Sequence, residues 1–425
     1  MNHMSILSKK IISNSLWMMT EKCISIFGLI FVTSYVAKYI GPTNFGKIAL
    51  ATTLFGFVQT LTWFGNQEIL FKRVSRNPMS GLKYLIGTQN LRKILFLICA
   101  LPILFGLYFY SDYLTLIFGI ATALATYFIT QDVYTIYNNA VLNSYINAIV
   151  NMIGLSTALG VRYLIVFFEL NYAFLGIPII LTALVPFLLK KYIFNRSKKI
   201  KILSFKNYRK YYFGAGSALV LSTLAITLYT QVTSLMLVSL TSTRELGIYA
   251  VAVTLGMSWA FINTSIITSV LSKIYREKSN YRSYVMIAKL NIIIVLISLV
   301  VVIILAGAGK WILNKLYGNA YLEAYELVVL LGLASMCSGL GTVAARLLVK
   351  EGSYNYISRK MSCVAICSLP ISYIMIYKFE LKGAAYSILI IELLSLTFFN
   401  YFYKNGLIFK IHFFPFFKDS LKSKY

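Results

Sequence analysis

Three carboxylates stand within long apolar stretches of this 425-residue chain. Glu21 follows "NSLWMMT", Asp132 follows "YFITQ" and Glu392 follows "SILII". An ionised carboxylate among apolar groups is costly unless a proton, a cation or a basic side chain neutralises it. We therefore expect these three side chains to bind H+ or Na+. The alternative for each is a structural acid that is paired or hydrogen-bonded.

Basic side chains lie in similar surroundings and could bind an anion. They are Lys22, Arg92, Arg162, Lys289 and Arg346. Lys22 lies well inside the first apolar stretch, and the alternative to a binding role is a structural ion pair with Glu21 or another helix. The other four lie near the ends of their stretches, where a long basic side chain can also reach water.

Sites for metals, nucleotides or covalent catalysis are not indicated. The two histidines, His3 and His412, lie near the two ends of the sequence, and no His or acid joins Cys363 and Cys367 at the spacing of a metal site. No glycine-rich phosphate loop of the Walker type occurs. We predict that the protein is not an enzyme and has no cofactor other than a coupling H+ or Na+.

The composition is that of a membrane protein. The chain is 59% hydrophobic and 12% charged, with a mean hydropathy of +0.75, whereas soluble domains are about 45–50% apolar and about 25% charged. Apolar runs of spanning length recur, and they should be α-helical because lipid offers the backbone no hydrogen-bond partner. Twelve spans are predicted, at residues 14–38, 46–68, 84–108, 113–135, 143–166, 173–193, 212–238, 246–270, 284–306, 326–348, 359–377 and 384–403.

The basic residues predict the orientation. If both termini are cytoplasmic, 31 of the 40 Lys and Arg residues fall in cytoplasmic segments and 8 in outer ones, with Lys22 inside a span. Such a bias is typical of cytoplasmic loops, and it explains the net charge of +27 without nucleic acid. Residues 404–425 form a basic, aromatic tail, which we expect to lie on the inner leaflet.

An internal repeat predicts two halves. An offset of 201 residues aligns Phe45-Gly46 with Leu246-Gly247, and it also aligns Ala49 with Ala250. An even number of helices in each half makes the repeats parallel. We predict an all-α polytopic fold of two six-helix lobes around a central cavity, with lobes at residues 1–195 and 211–403, a basic linker at 196–210 and the tail at 404–425. Glu21 and Lys22 break the repeat, because Ser222 and Thr223 occupy the equivalent positions.

The first eighty residues resemble a known family. The features that carry the resemblance are the Asn14-x-x-Trp17 start, the Glu21-Lys22 pair, "YVAKYIGPTNFGKIA" and the basic "KRVSR" loop. Residues 14–77 resemble bacterial O-antigen and polysaccharide flippases of the Wzx type. These belong to the multidrug/oligosaccharidyl-lipid/polysaccharide exporter superfamily, which also includes multidrug extrusion transporters and the peptidoglycan lipid flippase.

The resemblance implies that undecaprenyl-diphosphate-linked oligosaccharide, such as an O-antigen repeat unit of lipopolysaccharide, is moved from the inner to the outer leaflet by alternating access. For such a task we expect the five basic residues above to bind the diphosphate and the three carboxylates to bind the coupling ion. The implied partners are the bilayer, the lipid-linked oligosaccharide, a polysaccharide polymerase and a chain-length regulator, at the bacterial inner membrane. The alternatives are a small-molecule or multidrug antiporter of the same superfamily, and a non-transporting scaffold for polysaccharide assembly.

The orientation can be tested with reporter fusions. Fusions near Lys201 and after Lys404 should report the cytoplasm, and fusions near Arg244 and Lys315 the outside, because the basic segments remain inside. Paired alkaline phosphatase and fluorescent-protein reporters measure this. An outside signal at Lys201 would contradict the two-lobe arrangement.

Overall fold

The computed structural model describes residues 2–197, 206–414 and 416, and every element in these ranges is helical. Most of the predicted linker (198–205) and the tail after 416 lie outside the described residues. The helices up to the predicted linker are α1 (Asn2–Trp63), α2 (Asn66–Arg76), α3 (Pro78–Gly87), α4 (Gln89–Tyr110), α5 (Tyr113–Gln131), α6 (Tyr134–Ala140), α7 (Ser144–Phe167) and α8 (Gly176–Ser197). The later helices are α9 (Lys206–Leu240), α10 (Thr243–Met257), α11 (Ala260–Arg276), α12 (Asn280–Tyr317), α13 (Ala324–Lys350), α14 (Tyr354–Leu396), α15 (Phe398–Tyr401) and α16 (Leu407–His412).

Helix α1 is broken at Gly41, where the sequence repeat begins. Gly41 has φ 74° and ψ 169°, a backbone conformation that glycine adopts at little cost. Pro42 follows and starts the second arm of α1, as proline commonly does at a first helical position. Helix α10 starts at Thr243. Ser242 caps it, because its side chain accepts a hydrogen bond from the backbone amide of Glu245. Pro42 and Thr243 are 201 residues apart, so both copies of the repeat start a helix at the same position.

Helix α14 folds back on itself at Glu380, which has φ 48° and ψ −124°. The Thr233 hydroxyl lies 3.2 Å from that of Ser372 and 3.4 Å from that of Ser387. These two serines would be about 22 Å apart on a straight helix, at 1.5 Å per residue. The two arms are therefore antiparallel, and α14 supplies the last two predicted spans.

The predicted fold class is confirmed. Nine helical stretches of the described chain are long and apolar enough to cross a bilayer. The last of them, Asn355–Tyr401, contains the turn at Glu380, and α1 adds two arms on either side of Gly41. This agrees with an all-α polytopic protein of about twelve spans in two repeats.

The chain divides into two compact units, residues 1–227 and 228–425. The division falls inside α9, beyond the predicted linker, because the first part of α9 packs in unit 1. There the Tyr212 hydroxyl donates to the Thr62 carbonyl at 2.7 Å. The hydroxyls of Thr227 and Thr60 lie 2.8 Å apart. The lobe boundaries that we read from the repeat remain predictions.

The start of the tail packs against unit 2. Leu407, Ile408 and Ile411 of α16 are 1% exposed and join the cluster formed by α11, α12 and α13. Lys404 forms an ion pair with Glu351 at 2.5 Å. Residues 407, 408 and 411 thus turn their apolar side chains to protein, and the position of the tail on the inner leaflet stays a prediction.

Candidate functional site

Unit 1 contains a cavity of about 380 Å3 inside its helix bundle. Helices α1, α2, α5, α6, α7 and α8 all contribute to its walls. Its polar lining consists of Glu21, Ser25, Gln67, Asp132, Thr135, Asn151, Thr182 and Lys190. The apolar lining includes Trp63, Ile129, Leu155 and Pro186. Two of the three predicted carboxylates thus line one cavity.

Asp132 and Lys190 form a buried ion pair in this cavity. The Lys190 ammonium lies 2.8 Å from Asp132 Oδ2, and the two side chains are 2% and 13% exposed. The Thr135 hydroxyl donates to the same carboxylate at 2.8 Å, and Lys190 donates to the Thr135 oxygen at 2.7 Å. Burying both charges costs desolvation free energy, and their mutual attraction and the extra hydrogen bonds to Thr135 offset that cost.

Local sequence places Asp132 at the gap between α5 and α6. Its carboxylate accepts a hydrogen bond from the Thr135 backbone amide at 3.2 Å, as short acidic side chains commonly do at the start of a helix. The break ends the predicted span at 113–135 and turns the carboxylate toward α8. Asp132 therefore both shapes the backbone and supplies charge to the cavity.

Glu21 reaches the cavity from α1. It accepts a hydrogen bond from the side-chain amide of Asn151 on α7. Its neighbour Lys22 is exposed and takes part in none of the ion pairs of the described chain. Adjacent residues on a helix point about 100° apart, so Glu21 and Lys22 face different surroundings.

Lys190 and Asn151 are residues that the sequence interpretation missed. Lys190 falls in the predicted span 173–193, but its charge is counted with the basic cytoplasmic segment that follows, so it is not among the candidates. The signal against that grouping is "YIF", three apolar residues that follow the two lysines. Helix α8 continues through them to Ser197, which leaves Lys190 inside the bundle and Lys191 exposed.

Arg92 is placed inside protein rather than at the cavity wall. It is 1% exposed and donates to the Thr88 hydroxyl at 2.7 Å and to the Leu85 carbonyl at 3.3 Å. Its guanidinium lies 5.5 Å from the Trp63 ring centroid, a distance typical of a cation–π contact. Arg92 thus joins the break between α3 and α4 to a residue of the cavity wall.

The other basic candidates are more accessible. Arg162 on α7 is half-buried, while Lys289 on α12 and Arg346 on α13 are exposed. None of these three lines the unit 1 cavity. The structure therefore does not bring the five predicted anion-binding residues together within one unit.

Glu392 lies in unit 2 and is 9% exposed. Its neighbours are the Ser338 hydroxyl, which hydrogen-bonds to it, and the charge of Lys360. Lys360 is itself 8% exposed and donates to the Asn400 side chain at 3.0 Å. Lys360 lies at the start of the predicted span 359–377 and is not among the sequence candidates, so its charge near Glu392 is a feature that the structure adds. No group of three metal-ligating side chains occurs in the described residues.

The chain belongs to a family of polysaccharide biosynthesis proteins. Residues 11–272 match the family model with the description "Polysaccharide biosynthesis protein". A stretch of 186 residues is 29% identical to the capsular polysaccharide biosynthesis protein CapF of Staphylococcus aureus, and it covers 42% of this chain and 46% of CapF. The chain thus spans less than half the length of this relative.

Solved structures of transporters share the fold. The lipid II flippase MurJ, in an inward closed conformation, has a TM-score of 0.72 over 97% of this chain and 93% of MurJ, at 14% identity. The eukaryotic MATE transporter AtDTX14 has a TM-score of 0.58 over 95% and 98% of the chains, at 12% identity. The family and the fold confirm the resemblance to polysaccharide flippases of this superfamily, and they make the chain a multi-pass membrane protein with a transporter fold.

The buried ion pair predicts a specific pattern of stability. Lys190→Ala should lower the free energy of unfolding by about 3–5 kcal/mol, because Asp132 is left buried without its cation. Lys191→Ala, at the exposed neighbour, should cost less than about 1 kcal/mol. Asp132→Asn/Lys190→Met should recover most of the loss, since neither charge remains. Thermal unfolding in detergent measures all three, and equal loss in the Lys190 and Lys191 variants would contradict the pairing.

Proposed function

We propose that the protein is a flippase that moves undecaprenyl-diphosphate-linked oligosaccharide from the inner to the outer leaflet. The observation that carries the proposal is a polar, charged cavity inside the helix bundle of a polysaccharide-biosynthesis protein with a transporter fold. The substrate unit is an O-antigen or similar surface polysaccharide repeat, and the site of action is the bacterial inner membrane with both termini in the cytoplasm. A polysaccharide polymerase and a chain-length regulator use the product.

The physical task explains why such a cavity is needed. Sugar hydroxyls and a diphosphate lose their hydrogen bonds to water in hydrocarbon, and charged groups lose most. A polar cavity replaces those bonds while the polyprenyl tail stays in lipid. Carboxylates, a lysine and amide and hydroxyl groups, as found in unit 1, can all bind a hydrated, hydroxyl-rich head group.

The charged residues divide between two roles in this proposal. Lys22 is the foremost contact for the diphosphate because it is an exposed cation inside a span, with Arg162, Lys289 and Arg346 as further contacts during transport. Arg92 acts through the Trp63 ring. Glu21, Asp132 and Glu392 bind the coupling H+ or Na+, and release of the Lys190 ammonium from Asp132 accompanies ion binding.

Reconstitution tests the proposal. The purified protein is placed in vesicles with a fluorescent undecaprenyl-diphosphate oligosaccharide, and a membrane-impermeant reductant bleaches only the outer leaflet. Vesicles with the protein should lose the inner-leaflet signal as well, and protein-free vesicles should keep it. Transport of a cationic dye without flipping would instead support the multidrug antiporter, and transport of neither would support a scaffold.

Lys22 offers a sharper prediction in the same assay. Lys22→Ala should slow flipping about ten- to hundredfold, equivalent to the loss of about 1.5–3 kcal/mol from one charge-assisted contact. Lys22→Arg should keep part of the rate because the charge remains. Lys38→Ala removes another exposed lysine of α1 and should have little effect.

The double variant Glu21→Ala/Lys22→Ala separates binding from a structural role. We expect it to stay as slow as Lys22→Ala, because Glu21 bonds to Asn151 and not to Lys22. Recovery of the double variant to the wild-type rate would mean that Lys22 only balances the charge of Glu21.

A further inference from the structure

Unit 2 has a second cleft, at the end where α10 and α13 begin. It has a volume of about 610 Å3, within the range of about 300–1,000 Å3 that is common for ligand sites. Its walls come from the first turn of α10, the end of α12, the start of α13 and the turn of α14 at Glu380. The predicted topology places this end of unit 2 on the outer surface, opposite to α16.

The cleft is acidic although the chain is strongly basic. Four of the thirteen Asp and Glu residues line it, namely Glu245, Glu323, Glu326 and Glu380. Lys310 and Lys382 line it as well and Arg244 pairs with Glu323, so the carboxylates exceed the adjacent cations by one. A diphosphate would be repelled by this surplus of carboxylates. The charge therefore favours an uncharged or amino-bearing ligand.

Ion pairs hold two of the four carboxylates, Glu323 and Glu326, in place, and both keep free positions for hydrogen bonds. Arg244 donates to both oxygens of Glu323, at 2.7 and 3.0 Å, and these bonds lower the pKa of Glu323. Lys382 lies 2.6 Å from Glu326. A carboxylate can accept about four hydrogen bonds, so each pair leaves acceptors free for hydroxyl groups. Glu245 Oε2 is buried and has no hydrogen-bond partner.

Two aromatic rings complete the walls of the cleft. The Tyr325 hydroxyl donates to the Ala306 carbonyl at 2.6 Å, which fixes the ring, and the Lys310 ammonium lies 5.1 Å from its centroid. Phe379 is half exposed and packs edge-on against Tyr386. Fixed rings beside ionised acceptors suit a ligand with an apolar C–H face and many hydroxyls. In the described chain, no three carboxylates are close enough to hold a metal ion.

We propose that this cleft binds the sugar residues of the lipid-linked oligosaccharide on the outer surface. The hydroxyls, or an amino group, bind Glu245, Glu326 and Glu380, and a ring face packs on Tyr325. The inference rests on the proposed function for its ligand and adds a site for the sugar part, separate from the contacts for the diphosphate. Such a site would hold the head group as it leaves, while the diphosphate remains with the lipid.

Binding of a soluble oligosaccharide tests the cleft without requiring transport. The probe is the lipid-free, dephosphorylated repeat unit released from the surface polysaccharide of the source strain, titrated into full-length protein in nanodiscs by calorimetry. Tyr325→Ala and Glu326→Gln should each weaken binding about tenfold or more, equivalent to about 1.4 kcal/mol. Asp112→Asn is the matched control, because it removes an exposed carboxylate that is paired with Lys47 at 2.6 Å in unit 1. It should leave binding unchanged.

The remaining outcomes are decisive as well. Tyr325→Phe keeps the ring and should bind like the wild type, which covers the case in which Tyr325→Ala does not fold.

Inorganic diphosphate should not compete with the oligosaccharide. Three results would each overturn the sugar site. They are no binding by the wild type, an affinity of Glu326→Gln equal to that of the wild type, and competition by diphosphate. Flipping in vesicles without sugar binding would overturn this site alone, and sugar binding without flipping would overturn the proposed transport alone.

Discussion

Charge inside a lipid-spanning bundle has to be neutralised, and this constraint organises the interior of the protein. Insertion of a charged side chain at mid-membrane costs about 2.5–3.5 kcal/mol. Asp132 is paired with Lys190 at 2.8 Å. Glu21 accepts a hydrogen bond from the side-chain amide of Asn151. Glu392 is hydrogen-bonded to Ser338 and lies near the charge of Lys360. In each case the partner lies on a different helix from the carboxylate, so these contacts require particular helices to pack together.

The same constraint connects fold and function. A pair such as Asp132 and Lys190 can exchange its internal partner for a proton, a cation or a substrate group, because each of these also neutralises one member. A purely apolar bundle would have no desolvation cost from buried charges, but it could not respond to an ion. The break between α5 and α6 lies where the chain turns the Asp132 carboxylate into the cavity.

Much of the fold could be predicted from the sequence, because it depends on local rules. Apolar run length predicts the spans, and the Gly41-Pro42 pair marks a helix start that recurs at Thr243. The partners of the charged residues could not be predicted, since Lys190 is 58 residues from Asp132 and its charge was counted with the basic segment after its span. The turn at Glu380 carries no Gly or Pro at the residue with positive φ, so it was indicated by the charges of Lys378, Glu380 and Lys382 between two apolar runs. Arg92 was chosen for its charge, and the structure adds that its guanidinium lies against the Trp63 ring, a contact that the sequence does not indicate.

The central claim is that the charged groups of unit 1 face water inside the membrane, and thiol labelling tests it most directly. The five native cysteines are replaced, and single cysteines are introduced as Ser25→Cys and Thr182→Cys in the cavity wall. Ile98→Cys, at a side chain 62% exposed on α4, serves as the lipid-facing control. A membrane-impermeant maleimide, applied to each side of sealed vesicles, should label both cavity positions from at least one side and leave the Ile98 position unlabelled. Absence of labelling at Ser25 and Thr182 from both sides would contradict the account.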